Sequence, residues 1–165
     1  MDLLIRLYAL PSRVPNVGPA EMAGASTWRL RQPIGPEHDA VVAWVAQHFG
    51  PRWASEARVA LGNRPVTLQI AVTLRTEPDT ADRLLGFCCH DATARGLVGP
   101  IGVAAEARGR GIGAALLRAS LADMRAAGYA YAVAGAVGAP EFFRREAGAM
   151  PIEDSEPGLY EGMLR

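Results

Sequence analysis

Apolar residues recur along this chain with two different periods, and the change between them orders the elements. Val41, Val42, Trp44, Val45 and Phe49 follow helical spacing after Pro36-Glu37, and Gly50-Pro51 closes that helix. A second helix is predicted over 52–61, with Trp53, Ala57 and Ala60 or Leu61 on one face, stopped by Gly62-Asn63. Short apolar runs then take over. Those at 66–74 and 84–91 predict an antiparallel strand pair joined by the charged loop 76–82, and 97–103 supplies a central strand. An amphipathic helix follows from residue 111, and 129–134 reads as the next strand. Towards the N-terminus, 3–9 and 28–31 suit strands, while 11–25 is rich in Pro, Gly and small residues and reads as a loop. These elements predict an α/β fold in one domain over 1–165, with 1–27 as an N-terminal strand and a mobile Pro/Gly-rich arm. The length suits one domain with a sizeable core.

Between the central strand and the long helix lies the most informative stretch, Val103 to Leu117. Gly109, Gly111 and Gly113 allow turns that a Cβ disfavours and let backbone N–H groups approach a ligand. The first turn of the following helix adds unpaired N–H groups and the positive end of its dipole, which together suit an anion. Arg108 and Arg110 bring charge to the rim. A Walker loop needs a lysine, and all 17 basic residues here are arginine. The dinucleotide pattern G-x-G-x-x-A does match from Gly109 to Ala114, yet the acid expected roughly 20 positions later is absent from the strand 129–133. The pattern R/Q-x-x-G-x-G/A fits completely, as Arg108-x-x-Gly111-x-Gly113.

That match resembles the GCN5-related N-acetyltransferase (GNAT) superfamily, in which a strand ends in V-x-P-E-x-R-G-x-G-I-G-x-x-L-L; here Ala105 stands where the proline often sits. Glu141 to Ala149 is similar to the short helix that follows in the family. Trp53 with Glu56, Cys-x-x-Asp-Ala-Thr at 88–93, Gly99-Pro100, Tyr129 to Ala132 and Glu-Pro-Gly-Leu-Tyr at 156–160 resemble a bacterial subgroup of unassigned substrate. The resemblance covers 28–165 and implies a mixed, mostly antiparallel central sheet, splayed at its middle strands and flanked by helices. It implies acetyl-CoA as cosubstrate, the diphosphate held by Arg108, Gly109, Arg110, Gly111, Ile112, Gly113 and Ala114, and the pantetheine arm held by backbone of Ile101, Gly102 and Val103. The Val103 N–H would polarise the thioester carbonyl. The implied reaction is direct attack by the amine of a small metabolite or amino-acid-like acceptor.

The resemblance also exposes a gap. The tyrosine that usually protonates the leaving thiolate aligns with Phe143, so Tyr160, Tyr131 or a water stands in for it. Asp91, at the end of the strand before the central one, is the first candidate for a base or amine-binding group, and it also suits a turn. Glu56, one helical turn after Trp53, is the second, and it also suits a solvated helix face. Cys88 and His90 share a strand face, but two ligands of unlike spacing make no metal site, so none is expected. An acyl-CoA-binding or sensing module without turnover is the alternative, and a nicotinamide-dependent oxidoreductase a distant third.

Charge adds little: 17 acidic residues balance 17 basic ones, so neither nucleic acid nor a membrane surface is expected as partner. Cys88 and Cys89, adjacent on a strand, point to opposite faces and are expected as free thiols. The start Asp2 to Arg6 lacks a signal-peptide pattern, and the apolar run 126–140 is shorter than the roughly 20 residues a membrane helix needs. A cytoplasmic enzyme is expected, with exposed strand edges able to support a homodimer.

Overall fold

The structure, a computed structural model, describes residues 1–11, 28–74 and 81–164. In chain order it contains β1 (Leu3–Arg6), β2 (Trp28–Arg31), α1 (His38–Phe49), α2 (Pro51–Gly62), β3 (Leu68–Thr73), β4 (Leu84–His90), β5 (Val98–Val103), α3 (Ile112–Ala126), β6 (Tyr131–Ala134), α4 (Pro140–Ala147) and β7 (Met150–Pro151). Four strands pair antiparallel in the order β2-β3-β4-β5, and three pair antiparallel in the order β6-β1-β7. A parallel bridge between Leu97 and Val133 joins the two sets at the foot of β5. Beyond it β5 and β6 do not pair, and a cleft opens between them. This is the mixed α/β fold with a sheet splayed at its middle strands.

The sheet is covered on both faces, which explains why β3 and β4 read as near-continuous apolar runs. On one side Leu116, Leu117, Leu121 and Met124 of α3 pack with Leu3, Ile5 and Leu85. On the other, Val41, Val45, Ala57 and Leu61 of α1 and α2 pack with Leu68, Ile70 and Phe87. Cys88 belongs to the first cluster and Cys89 to the second, as strand alternation requires. Both are free thiols, and burial pushes Cys88 up to about 12 and raises Cys89 as well.

Several boundaries differ from the sequence expectation. The first strand stops at Arg6, because Leu7–Ala9 turns as a 3-10 helix whose Leu7 N–H donates to the Ala130 carbonyl at 3.0 Å. β6 correspondingly begins at Tyr131, opposite Arg6. The end of the chain holds only the two-residue β7 and a 3-10 turn at Gly158–Tyr160. The arm expected over 11–25, Pro11 apart, and the loop expected over 76–82 up to residue 80 lie outside the described residues. Among the described residues no helix is long and apolar enough to cross a membrane.

Candidate active site

At the mouth of the cleft, β5 runs through a 3-10 turn at Ala105–Ala107 into the glycine loop and α3. Gly109 and Gly111 adopt φ of +75° and +76°, with no atom within 4 Å of where a Cβ would stand, so glycine is required there by conformation and not by space. Gly111 caps α3, and the first intrahelical bond runs from the Ala115 N–H to the Gly111 carbonyl at 3.1 Å. The preceding N–H groups, those of Ile112, Gly113 and Ala114, therefore have no partner within the helix. They face a hollow of about 380 Å3 lined by Gly109, Gly111, Gly113, Arg108 and Arg145. Arg110 is exposed and lines neither this hollow nor the cleft beside it. Arg145 is a lining residue that the sequence did not single out. Its signal is its place one turn after Phe142, whose ring also borders the hollow.

The hollow continues through Val103, Arg108, Gly113 and Phe142 into a largely apolar cleft of about 500 Å3. One wall is β5 from Val98 to Val103, and the other is the small-residue stretch 135–139 that follows β6. Backbone polarity on the β5 wall can be worked out from register. The Ala104 N–H donates to the Leu85 carbonyl at 2.9 Å, so the next mutually bonded pair is Phe87 with Gly102, two residues along. Gly102 thus spends its backbone groups on β4, while those of Ile101 and Val103 point away from β4 towards the cleft. The Val103 carbonyl indeed accepts the Arg108 Nε–H at 3.1 Å. Gly102 contributes room instead, since a Cβ there would stand 2.6 Å from the Phe49 ring. Further along, register shifts between Cys88 and His90 place Gly99 and Pro100 together opposite Cys89, a bulge that bends β5 where the cleft begins.

Phe143, expected from the resemblance to stand where a tyrosine usually does, is buried but borders the cleft, and its ring meets Phe142 edge-on at 5.3 Å. It carries no proton to give. A different phenol stands close by. The Tyr160 hydroxyl lies 2.8 Å from where a Gly135 Cβ would stand, beside the cleft wall. Burial, and then the charge of Glu56, hold its pKa above the usual phenol value. Glu56 itself accepts a short hydrogen bond from the Thr93 hydroxyl, and Trp53, one helical turn earlier, lines the cleft. Glu56, Thr93 and Tyr160 therefore lie together behind Trp53 and Gly135, and none of the three itself lines the cleft. The grouping was not legible as a unit, because Tyr160 reaches it only through the fold of the C-terminal tail.

Asp91 is not brought to the cleft. It adopts φ +52° at the end of β4, and its carboxylate accepts the Gly96 N–H at 2.7 Å and the Tyr129 hydroxyl at 3.0 Å. The turn it was also suited to is the role it fills. Among the described residues no group of three or more His, Cys, Asp or Glu could hold a metal ion.

Residues 38–148 match the family model described as Acetyltransferase (GNAT) family. The chain belongs to the GNAT family. Two solved structures share its fold. One contains a GCN5-related glucosamine N-acetyltransferase region of a fungal multi-domain GH3 β-N-acetylglucosaminidase, at TM-score 0.63 and 15% identity over 88% of this chain. The other is a GCN5-related N-acetyltransferase from Sphaerobacter thermophilus, at TM-score 0.58 and 21% identity over 90% of this chain. This chain spans 19% and 47% of those two chains, respectively. No curated protein sequence matches it. GNAT family membership and fold support an acetyl-transfer role, and the family typically uses acetyl-CoA.

Proposed function

We propose that this GNAT protein is an N-acetyltransferase that moves the acetyl group of acetyl-CoA to the amine of a small metabolite or amino-acid-like acceptor. The observation that carries this reading is one continuous path from the unpaired helix N–H groups along the open edge of β5, with Glu56, Thr93 and Tyr160 grouped behind its Trp53 and Gly135. The diphosphate suits the N–H groups of 109–114, with Arg108 and Arg145 as countercharges. The pantetheine amides suit the exposed backbone of Ile101 and Val103, and the Val103 N–H would stabilise negative charge on the thioester oxygen.

In the reaction the amine nitrogen forms the new C–N bond and the C–S bond breaks with its electron pair on sulfur. Glu56 takes the proton lost by nitrogen. Tyr160, kept protonated by burial, supplies one to the thiolate in place of the phenol missing at Phe143. Proximity and alignment in the narrow cleft contribute the rest.

The test is thiol release with acetyl-CoA and a panel of small amines. Turnover is expected, abolished by Gly111→Glu, and lowered roughly 10²- to 10⁴-fold in kcat by Tyr160→Phe with acetyl-CoA affinity retained. Thermal shifts are expected with acetyl-CoA and CoA but not NAD. The buried Phe143 favours one other reading, a binding module without turnover. CoA-induced stabilisation with no thiol release from any amine would select it.

A further inference from the structure

Behind the vertex of the splay, at the opposite end of β5 from the glycine loop, lies a second cavity of about 850 Å3. Its wall is about as polar as apolar where the first cleft is almost wholly apolar, and its lining includes Arg64, His90, Asp91, Arg95, Asp123 and Tyr129. None of these takes part in the acetyl-transfer path. His90 is 4% exposed, and its Nδ1 has no hydrogen-bond partner, lying 3.5 Å from Asp91 Oδ2. A buried ring nitrogen left unsatisfied beside a carboxylate costs free energy.

The charges around this ring are complementary and partly unspent. Arg95 is exposed and makes no ion pair with any described residue, although its charge is felt by the Tyr129 phenol. Arg64 commits one nitrogen to the carbonyls of Leu61 and Asn63. Asp91 already accepts from Gly96 and Tyr129, one on each oxygen, whereas Asp123 is held through one oxygen only, by Gln69 at 2.7 Å, and is the freer anion for a ligand. Two guanidiniums and a carboxylate in one lining match a small molecule carrying both a carboxylate and an ammonium group.

The cavity is also wired to the cleft. Tyr129 donates to Asp91, Asp91 accepts the Gly96 N–H, and the Gly96 carbonyl accepts the Val133 N–H at 2.9 Å. That last bond is part of the bridge that holds β5 to β6 at the vertex. We propose that this cavity is a second ligand site for a small zwitterion of the free amino acid class, and that its occupancy changes acetyl-CoA affinity by shifting the Tyr129–Asp91–Gly96–Val133 chain at the root of the splay. Coupling of this kind is reciprocal, so acetyl-CoA must alter zwitterion affinity by the same factor.

Isothermal titration of the full chain with the free amino acids, with and without saturating acetyl-CoA, tests this. N-acetyl amino acids (anion only) and amino acid methyl esters (cation only) serve as comparators. The titrations are run in a Glu56→Gln background, so that binding at the acceptor end does not contribute. At least one amino acid is expected to bind, its singly charged comparators about tenfold or more weaker. Arg95→Ala and Asp123→Asn should each weaken it by about tenfold, with acetyl-CoA binding alone unchanged. Acetyl-CoA should shift its Kd severalfold, within the roughly 5- to 150-fold range of known couplings. No binding across the panel, equal binding of a singly charged comparator, or binding indifferent to both Arg95→Ala and Asp123→Asn overturns the site. Binding that leaves acetyl-CoA affinity untouched overturns the coupling.

Discussion

Two glycines on the path are needed for opposite reasons, and the difference is measurable. A Cβ at Gly102 would lie 2.6 to 2.9 Å from three atoms of the Phe49 ring. That ring is stacked on Trp53 at 5.2 Å and packed on Phe87 at 5.7 Å, so it cannot retreat without disturbing the cleft wall. Gly102→Ala is therefore expected to lower stability by about 1–3 kcal/mol, the usual cost of overpacking, read from the urea midpoint. At Gly111 space is free and the backbone is the obstacle, at φ +76°. Gly111→Ala should cost about 1–2 kcal/mol, whereas Gly111→Asn should cost less, because asparagine tolerates the left-handed region. An equal loss for Ala and Asn at 111 would mean that crowding, not conformation, selects the glycine.

At the scale of elements, the join between β2 and α1 depends on one clamp. The Arg31 guanidinium holds both oxygens of Glu37 at 2.6 Å, and the Ile34 N–H donates to the same carboxylate at 2.8 Å. The Arg31 bond above all holds the Glu37 pKa down to about 2. The unfolded value is about 4.3, so the folded state binds the proton more weakly. The clamp's stability is thus fully present above about pH 5 and is lost as pH falls from there through about 2. With the pair partly open to solvent, Glu37→Gln should cost about 1 kcal/mol at neutral pH and only a small fraction of that near pH 2, seen by comparing urea midpoints at the two pH values. Elements whose signals are local were legible in the sequence: α1 and α2 from apolar period and the Gly50-Pro51 stop, β3 and β4 from their runs, and the 108–114 loop from its glycines. Placement that depends on distant partners was not. Asp91 was expected at the wedge, but its carboxylate is claimed by Gly96 and Tyr129. Tyr160 comes within the field of Glu56 only because the C-terminal tail folds back, a charge interaction across 104 positions with no periodic signature.

Among the described residues, two small sheets share a core but are joined edge to edge at a single bridge, and this arrangement makes a sharp demand on any ligand of the cleft. A strand edge with unpaired backbone groups is normally a liability, which folds cover or shorten. Here it lies between two walls, where an extended amide-bearing arm can add itself as a strand. The groups it would meet follow from register: Ile101 and Val103 face the cleft, while Phe87 and Gly102 are already bonded to each other. Hydrogen exchange should therefore separate alternate residues of one strand. Without ligand, the Ile101 and Val103 amides should exchange faster than that of Gly102. Saturating acetyl-CoA should slow the amide or amides it engages by about tenfold or more beyond any change at Gly102, which reports only the global stabilisation, about 2.7 kcal/mol at 100 times Kd. Desulfo- and shortened CoA analogues divide the cause further. ADP with a 3′-phosphate occupies the glycine loop alone and should leave Ile101 and Val103 fast, whereas the full pantetheine arm should protect them. Uniform slowing of 101, 102 and 103 by every analogue would show that ligand binding tightens the whole fold and does not extend its sheet.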